Sequence, residues 1–285
     1  MYLSKFKSFI HFLVFSNIWV AFCVLALAVS SEFVLEAENY QISIFIFFAT
    51  IVTYNFQRVV RVVRAESNVR KQWLVKNKTV IYSLILSAGV MSGYYFFKFT
   101  VLTQLAIVFS AVFSLLYPFG LRNVPFSKIF VISLIWTIST MLLLVFENNI
   151  PFTQNIILHL ISRFLFVFAI TIPFDIRDLK HDAKNLETIP LFFGVQKSKI
   201  IALSALFICI LIAVFQALEN SLNFSNLLAL ILLYFVASTF IIKSDESNGE
   251  MYFSFWIESL CILGYFFLII SALIFQIRLL TLAAV

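Results

Sequence analysis

Nine apolar runs recur along this 285-residue chain, and each is close to the length of a helix that crosses the hydrocarbon layer of a membrane. Only 12% of the residues are Asp, Glu, Lys or Arg, about half the share found in soluble domains. The runs cover approximately residues 9–30, 41–60, 79–97, 101–117, 127–146, 155–174, 199–217, 226–242 and 251–275. The sequence therefore predicts an all-α, polytopic membrane helical bundle of about nine transmembrane helices, built as one domain over residues 1–285.

The charges between the runs predict the orientation of the chain in the membrane. If the N-terminus lies in the cytoplasm, the cytoplasmic segments hold 17 of the 20 Lys and Arg residues, as the positive-inside rule expects. The opposite loops are acidic and contain Glu32, Glu36, Glu38, Glu147 and Glu219. We therefore expect an integral protein of a bacterial inner membrane, with its N-terminus in the cytoplasm and its C-terminus outside.

Three aspartates stand where the sixth apolar run meets a polar segment, in residues 173–182 (Pro-Phe-Asp-Ile-Arg-Asp-Leu-Lys-His-Asp). Their spacing puts Asp175, Asp178 and Asp182 within about 60° on one face of a helix. Such close like charges are unfavourable unless a cation lies among them, and carboxylates next to a phosphate favour Mg²⁺. Lys184 and other basic residues follow, so one interpretation is a metal–diphosphate site. The other is a solvated amphipathic loop with local ion pairs.

This segment resembles the second aspartate-rich motif of the UbiA superfamily of intramembrane prenyltransferases. The match consists of Pro-Phe-Asp-Ile-Arg-Asp-x-x-x-Asp, followed by Thr188, Ile189, Pro190 and Gly194. Nine helices with long cytoplasmic loops after the second and the sixth are also similar to that family. The layout thus covers most of the chain, whereas the specific motif covers only residues 173–194.

The resemblance implies a helical bundle around a central cavity, in which two aspartate-rich loops bind a prenyl diphosphate through Mg²⁺. Diphosphate then leaves, an allylic carbocation forms, and a hydrophobic, often aromatic, acceptor attacks it. Carried over to this sequence, the resemblance assigns metal binding and catalysis to Asp175, Asp178 and Asp182. Lys128 lies where a basic residue near the diphosphate is expected, and we expect Lys184 to bind the diphosphate as well.

The first motif of the family, Asn-x-x-x-Asp-x-x-x-Asp, is incomplete in this chain. Asn55 matches its first position, but Val59 and Val63 replace the two aspartates and cannot bind a metal. Arg58 and Arg61 lie in the same segment, which leaves three interpretations open. In the first, the arginines and Asn55 bind the diphosphate directly. In the second, the arginines pair with the aspartates of the second motif. In the third, they anchor the loop to anionic lipids.

We expect an enzyme, a UbiA-like prenyltransferase that uses Mg²⁺, with a prenyl diphosphate, a hydrophobic acceptor and membrane lipids as its partners. The alternative is a non-catalytic relative that binds a lipid or prenyl phosphate after losing the first metal site. A secondary transporter is a weaker third possibility, since it would need charged or broken helices near the midplane. Nucleic acid is not an expected partner, because attraction to lipids already explains basic loops at a membrane face.

Overall fold

The structure is a computed structural model of the chain and describes residues 2–37, 39–64, 69–117, 124–182 and 188–283. Side chains are described for residues 5–37, 39–60, 72–117, 124–179 and 188–276. Every regular element within these ranges is helical. In chain order the elements are α1 (Tyr2–Phe15), α2 (Ile18–Leu35), α3 (Gln41–Arg64), α4 (Val69–Lys76), α5 (Lys78–Phe96), α6 (Val101–Leu116), α7 (Ser127–Thr137), a π-helical turn (Ile138–Leu142), α8 (Leu143–Glu147), α9 (Gln154–Asp182), α10 (Ile189–Phe193), α11 (Val195–Leu218), α12 (Phe224–Lys243), a second π-helical turn (Tyr252–Ile257) and α13 (Leu260–Ala283).

Eight helical stretches in the described chain are long and apolar enough to cross a membrane. They are Ile18–Leu35, Gln41–Val60, Lys78–Phe96, Ser127–Glu147, Gln154–Leu179, Val195–Leu218, Phe224–Lys243 and Tyr252–Gln276. Helix α6 is also apolar but has only 16 residues. Each of the nine predicted runs therefore contains a helix. The predicted all-α membrane bundle is confirmed, and nine is an approximate count of its spans.

Two of the predicted runs have different boundaries in the structure. The first, at residues 9–30, is interrupted, because α1 ends at Phe15 and α2 begins at Ile18. Asn17 between them has a left-handed backbone with φ 60°, a conformation that Asn tolerates better than most residues. The sixth run continues beyond residue 174, because α9 extends to Asp182 with Pro173 in its interior. The aspartates that the sequence places at a loop boundary thus lie in the last turns of a helix.

The described chain forms two compact units, and the first comprises Met1–Arg122 and Ile138–Asn149. In this unit α3 packs against both α2 and α5. The Glu147 carboxylate accepts hydrogen bonds from the backbone N–H of Thr100 at 3.0 Å and from its hydroxyl at 3.1 Å. Thr100 is the N-cap of α6, so the short turn from α5 to α6 lies at the same end of the unit as Glu147. The charge pattern predicts this arrangement, since it places the turn from α5 to α6 and the segment of Glu147 on the same, non-cytoplasmic side of the membrane.

The second unit comprises Asn123–Thr137 and Ile150–Val285, and α9 packs in it against α7, α11 and α12. A helix in contact with several neighbours is expected to be apolar on more than one face. The buried apolar residues of α9 are Ile156, Phe166, Val167, Phe168, Ala169, Ile170, Ile172 and Ile176. Asp175 lies beside the last of these in the sequence and is itself only 2% exposed. The division into two units leaves the predicted single domain over residues 1–285 a prediction.

A π-helical turn at Tyr252–Ile257 precedes α13 in the second unit. Its wider hydrogen bonding includes the N–H of Glu258, which donates to the carbonyl of Phe253, five residues earlier, at 3.3 Å. Single π-helical turns within α-helices are frequent at functional sites. Glu250 lies just before this turn.

Candidate functional site: an ion cluster at the end of α9

A lysine and two aspartates meet in the second unit, where the first turn of α7 packs against α9. The ammonium nitrogen Nζ of Lys128 lies 2.6 Å from Asp175 Oδ1 and 2.8 Å from Asp178 Oδ2. It donates a hydrogen bond to the Asp178 oxygen. The Asp175 side chain is 1% exposed and that of Asp178 is 21% exposed. One oxygen from each carboxylate therefore converges on a single cation.

The burial of Asp175 explains why a cation stands beside it. Transfer of an ionised carboxylate from water into a protein interior costs several kcal/mol unless an opposite charge and hydrogen bonds compensate. The neighbouring residues along the helix, Ile172 and Ile176, are both fully buried, so α9 offers this carboxylate an apolar setting. Lys128 supplies the compensating charge.

Arg177 holds the other side of Asp178. Its Nε donates to Asp178 Oδ1 at 2.7 Å, and its Nη1 donates to Glu250 Oε1 at 3.1 Å. The guanidinium carbon also lies 5.2 Å from the ring centre of Phe174 and 5.7 Å from that of Phe253, within range of cation–π attraction. Two carboxylates and two aromatic faces therefore fix the Arg177 side chain, and Arg177 in turn orients the Asp178 carboxylate.

The cluster carries more negative than positive charge. Among the described side chains, its ion pairs join two cations, Lys128 and Arg177, to three carboxylates, Asp175, Asp178 and Glu250, a net charge of −1 when all are ionised. The hydroxyl of Ser254 donates to the same Glu250 oxygen at 2.6 Å and helps to satisfy it. Because one negative charge remains, the cluster favours a further cation over an anion.

The donor chemistry of the aspartate pair fits one divalent cation. Mg²⁺ in proteins takes oxygen ligands, often one or two carboxylates together with phosphate oxygens and water. Asp175 and Asp178 provide two such oxygens aimed at one point, which the ammonium of Lys128 holds in this structure. A metal would bind there once Lys128 had moved. Within the described residues, no three His, Cys, Asp or Glu side chains form a group that could hold a metal ion.

Three predicted site residues lie wholly or partly outside the described residues. Lys184 is outside them altogether, whereas Arg61 and Asp182 are described only in their backbone, on α3 and α9. Along α9, Asp182 follows Asp175 by seven residues, about 10 Å of helix. The helix that would align the three predicted acids is therefore present, and the roles of these three residues stay predictions.

Asn55 and Arg58 make hydrogen bonds to the backbone in the first unit. The Asn55 amide donates to the carbonyls of Ser16 and Ile51, both at 2.9 Å, and accepts from Asn17 Nδ2 at 2.9 Å. The guanidinium of Arg58 donates to the carbonyl of Phe15. A helix end leaves backbone carbonyls without their usual partners, and these side chains satisfy two of them at the break between α1 and α2.

Diphosphate binding by Asn55 stays a prediction, although its side chain is engaged with the backbone. A side-chain amide has two N–H donors, and Asn55 uses both on backbone carbonyls while it is fully buried. Its place at the start of the incomplete first motif is thus explained by support of the helix break. For Arg58 and Arg61, diphosphate binding stays a prediction.

Arg177 and Glu250 complete the cluster, and neither is among the residues that the sequence predicts for the site. A signal was present for Arg177, since it lies between two aspartates in the motif and a buried acid needs a cation nearby. The 73 residues that separate it from Glu250 leave no local pattern from which their contact could be predicted.

Comparison with known proteins agrees with the fold and with this segment. The sequence profile of the UbiA prenyltransferase family matches residues 69–260, about two thirds of the chain. Among curated proteins, none matches the sequence significantly.

Several solved membrane proteins have a similar fold. A UbiA homologue from Archaeoglobus fulgidus bound to GPP and Mg²⁺ has a TM-score of 0.65 at 13% identity, over 91% of this chain and 98% of that one. A UbiA homologue from Aeropyrum pernix K1 in its apo form has a TM-score of 0.61 at 10% identity, over 93% and 98% of the two chains. A structure of digeranylgeranylglyceryl phosphate synthase has a TM-score of 0.59 at 12% identity, over 93% and 99%. At these identities the likeness shows a shared fold.

The fold and the apolar spans define an integral membrane protein of the polytopic helical-bundle class. More specifically, the chain belongs to the UbiA prenyltransferase family. The resemblance drawn from residues 173–194 is therefore confirmed.

Proposed function

We propose that this chain transfers an isoprenoid chain from a prenyl diphosphate to a hydrophobic acceptor that carries an aromatic ring. The observation that carries the proposal is the convergence of the buried Asp175 and the half-buried Asp178 carboxylates on one cation at the end of α9. These residues lie in the region that the family profile matches. Further support comes from the Archaeoglobus fulgidus homologue, which has a similar fold and was solved with GPP and Mg²⁺.

In this proposal the diphosphate binds beside the aspartate pair. Lys128 donates to phosphate oxygens through its compact ammonium group, while Arg177 keeps the Asp178 carboxylate in place. Lys184 and Arg61 add positive charge, and Asp182 adds a third carboxylate from the next turns of the helix. The prenyl chain lies against apolar helix surfaces.

Asp175 and Asp178 would hold the metal, with Asp182 as a further ligand. When bound, Mg²⁺ would offset the negative charge of the leaving diphosphate. The bond between the allylic carbon and the diphosphate oxygen breaks, and the electron pair departs with the diphosphate. A ring carbon of the acceptor bonds the allylic carbon, and the ring then releases one proton. Exclusion of water by the apolar surroundings protects the carbocation from hydrolysis.

The incomplete first motif limits the proposal to one metal position. Val59 and Val63 offer no oxygen ligand where the family pattern has aspartates. In this proposal Arg58 and Arg61 supply part of the positive charge that a metal at the first motif would provide. Arg58 also donates to a carbonyl at the helix break.

The test uses purified protein in phosphatidylcholine nanodiscs, supplied with prenyl diphosphates of increasing chain length and with crude membrane quinone precursors. Release of inorganic diphosphate is followed in Mg²⁺ and in EDTA. The proposal expects Mg²⁺-dependent release that Asp178→Asn reduces by about 10²-fold or more, a loss in keeping with a defective metal site. Lys199→Gln is the matched control, because Lys199 lies in the same unit and donates only to the carbonyl of Ile242 in an exposed setting.

A second candidate function is the binding of a lipid or prenyl phosphate without catalysis. It is favoured by Val59 and Val63, which remove the first metal site, and by Lys128, whose ammonium offsets part of the charge of the aspartate pair. Absence of diphosphate release, together with tight prenyl diphosphate binding that ignores both Mg²⁺ and Asp178→Asn, would establish this function and reject the transferase.

A further inference from the structure

The cation position between Asp175 and Asp178 is filled by a residue of the chain itself. Lys128 Nζ lies within 2.8 Å of one oxygen from each carboxylate, a spacing that suits a strong charge-assisted contact. The lysine reaches this point from the first turn of α7, on a different helix from the two aspartates. Its side chain is 15% exposed, so its stem keeps some contact with the surroundings while its charge is paired.

The two cations of the cluster differ in how firmly they are held. Arg177 contacts Asp178, Glu250 and the rings of Phe174 and Phe253, so its movement would break several interactions at once. Lys128 pairs with the two aspartates through one ammonium group at the end of a flexible stem of four carbons, and this group can swing without breaking a planar, multidentate contact. The group that can leave the pair is therefore Lys128, while Arg177 keeps Asp178 aimed at the vacated point.

We propose that Lys128 is an exchangeable counter-ion, which occupies the cation position of the aspartate pair until a divalent metal arrives together with a diphosphate. With both the metal and the diphosphate present, Asp175 and Asp178 would hold the metal, and the Lys128 ammonium would donate to the phosphate oxygens instead. This inference rests on the proposed function for the identity of the anion as a prenyl diphosphate.

The exchange couples metal binding to diphosphate binding. A metal ion that arrived alone would expel Lys128 from its two carboxylates and leave an ammonium group without an anion in a poorly solvated place. A diphosphate that arrives with the metal gives the displaced ammonium a new partner. Each ligand therefore raises the affinity for the other, and by linkage the two effects are equal in size.

The test measures Mn²⁺ binding by electron paramagnetic resonance, with Mn²⁺ as the probe and the protein in phosphatidylcholine nanodiscs. In the wild type, we expect Mn²⁺ to bind at least about tenfold more tightly when inorganic diphosphate is present than when it is absent, after subtraction of Mn²⁺ bound to diphosphate in solution. This comparison needs no variant. Equal affinity in both conditions would overturn the proposal.

Variants then show which residue causes the coupling. Without diphosphate, Lys128→Gln is expected to bind Mn²⁺ at least about tenfold more tightly than the wild type, because its cation position is vacant. Lys128→Arg retains a cation, and Lys199→Gln removes a lysine outside the cluster, so both should resemble the wild type. Addition of Asp178→Asn to Lys128→Gln should abolish the gain. No gain in Lys128→Gln, or the same gain in Lys199→Gln, would refute the role of Lys128.

The outcome for Lys128 can be separated from the outcome for the enzyme. Coupled Mn²⁺ and diphosphate binding without release from any prenyl diphosphate would leave the counter-ion exchange standing and reject the transferase. Mg²⁺-dependent release by a wild-type protein that binds Mn²⁺ equally with and without diphosphate would support the transferase and reject the counter-ion exchange.

Discussion

Arg177 Nη1 lies 3.1 Å from Glu250 Oε1, although the two residues are 73 positions apart in the chain. The contact joins the last turns of α9 to the segment that leads into α13. Because Arg177 Nε also donates to Asp178, the orientation of one site carboxylate depends on a residue that follows α12.

Loss of the Arg177 side chain should therefore weaken the site without removing a ligand from it. We expect Arg177→Met to lower diphosphate release by about 10–100-fold, as is typical when a group that orients a metal ligand is lost. The Mg²⁺ concentration for half-maximal rate should rise, and more Mg²⁺ should restore part of the rate. Glu250→Gln, which keeps a hydrogen-bond acceptor, should give a smaller change in the same direction. An unchanged Mg²⁺ requirement in Arg177→Met would contradict this positioning role.

Replacement of Lys128 should destabilise the metal-free protein. Lys128→Gln leaves the Asp175 carboxylate buried without its cation, and disruption of a buried pair costs about 3–5 kcal/mol. The free energy of unfolding can be measured in EDTA by titration with SDS in mixed micelles. Addition of Asp175→Asn to Lys128→Gln should recover part of the loss, since it removes the unpaired charge.

Lys199, which is half-buried and lies outside the cluster, provides the comparison for Lys128. Lys199→Gln should change the free energy of unfolding by no more than about 0.5 kcal/mol, as most surface substitutions do. If both lysine variants were equally destabilised, the loss in Lys128→Gln could not be attributed to the aspartate pair.

Asn55 should matter for stability and not for substrate affinity. Asn55→Ala leaves the Ser16 carbonyl and the Asn17 amide without their partner in a buried place, which costs about 1–3 kcal/mol. The KM for prenyl diphosphate should stay the same, because both Asn55 N–H donors are used on backbone carbonyls, those of Ser16 and Ile51. A KM raised tenfold at unchanged stability would instead show that Asn55 binds the diphosphate. Asn77→Ala is a milder control, since Asn77 donates to the carbonyl of Trp73 within one turn.

The predicted orientation can be tested by cysteine labelling. Lys76 and Lys98 are both exposed, and the orientation predicted from the loop charges places Lys76 in the cytoplasm and Lys98 outside. In right-side-out membranes, a membrane-impermeant maleimide should label Lys98→Cys at once and Lys76→Cys only after permeabilisation. The unsubstituted protein should give little background, because Cys23, Cys209 and Cys261 are all buried. The reverse labelling pattern would show the opposite orientation.

The features of the fold that depend on local sequence could be predicted. Apolar runs of membrane-spanning length set the number and rough position of the helices, and the spacing of Asp175 and Asp178 correctly placed them on one helical face. The break at Asn17 could not be predicted from hydropathy, since the apolar run continues through it. It depends on hydrogen bonds from Asn55 and Arg58, about forty residues further along the chain.

The candidate site shows the same limit. The aspartates are visible as a motif because they occur close together. Of their counter-ions, Lys128 comes from a distant position, and Arg177 lies within the motif without a periodic pattern that singles it out. Lys128 was predicted to lie near the diphosphate, but its contact with the aspartates depends on the packing of α7 against α9. Contacts of this kind arise from tertiary structure and leave no periodic pattern in the sequence.

The π-helical turn at Tyr252–Ile257 has a consequence for insertions and deletions in this part of the chain. Each residue of an α-helix rotates the next by about 100°, so a one-residue deletion within the turn would restore α-helical geometry at the cost of rotating α13 relative to Glu250 by about that angle. Either Glu250 would turn away from Arg177, or α13 would present a different face to α12. We therefore expect natural length variation among related chains to avoid residues 252–257, and to be tolerated in the exposed residues 245–249 that precede them.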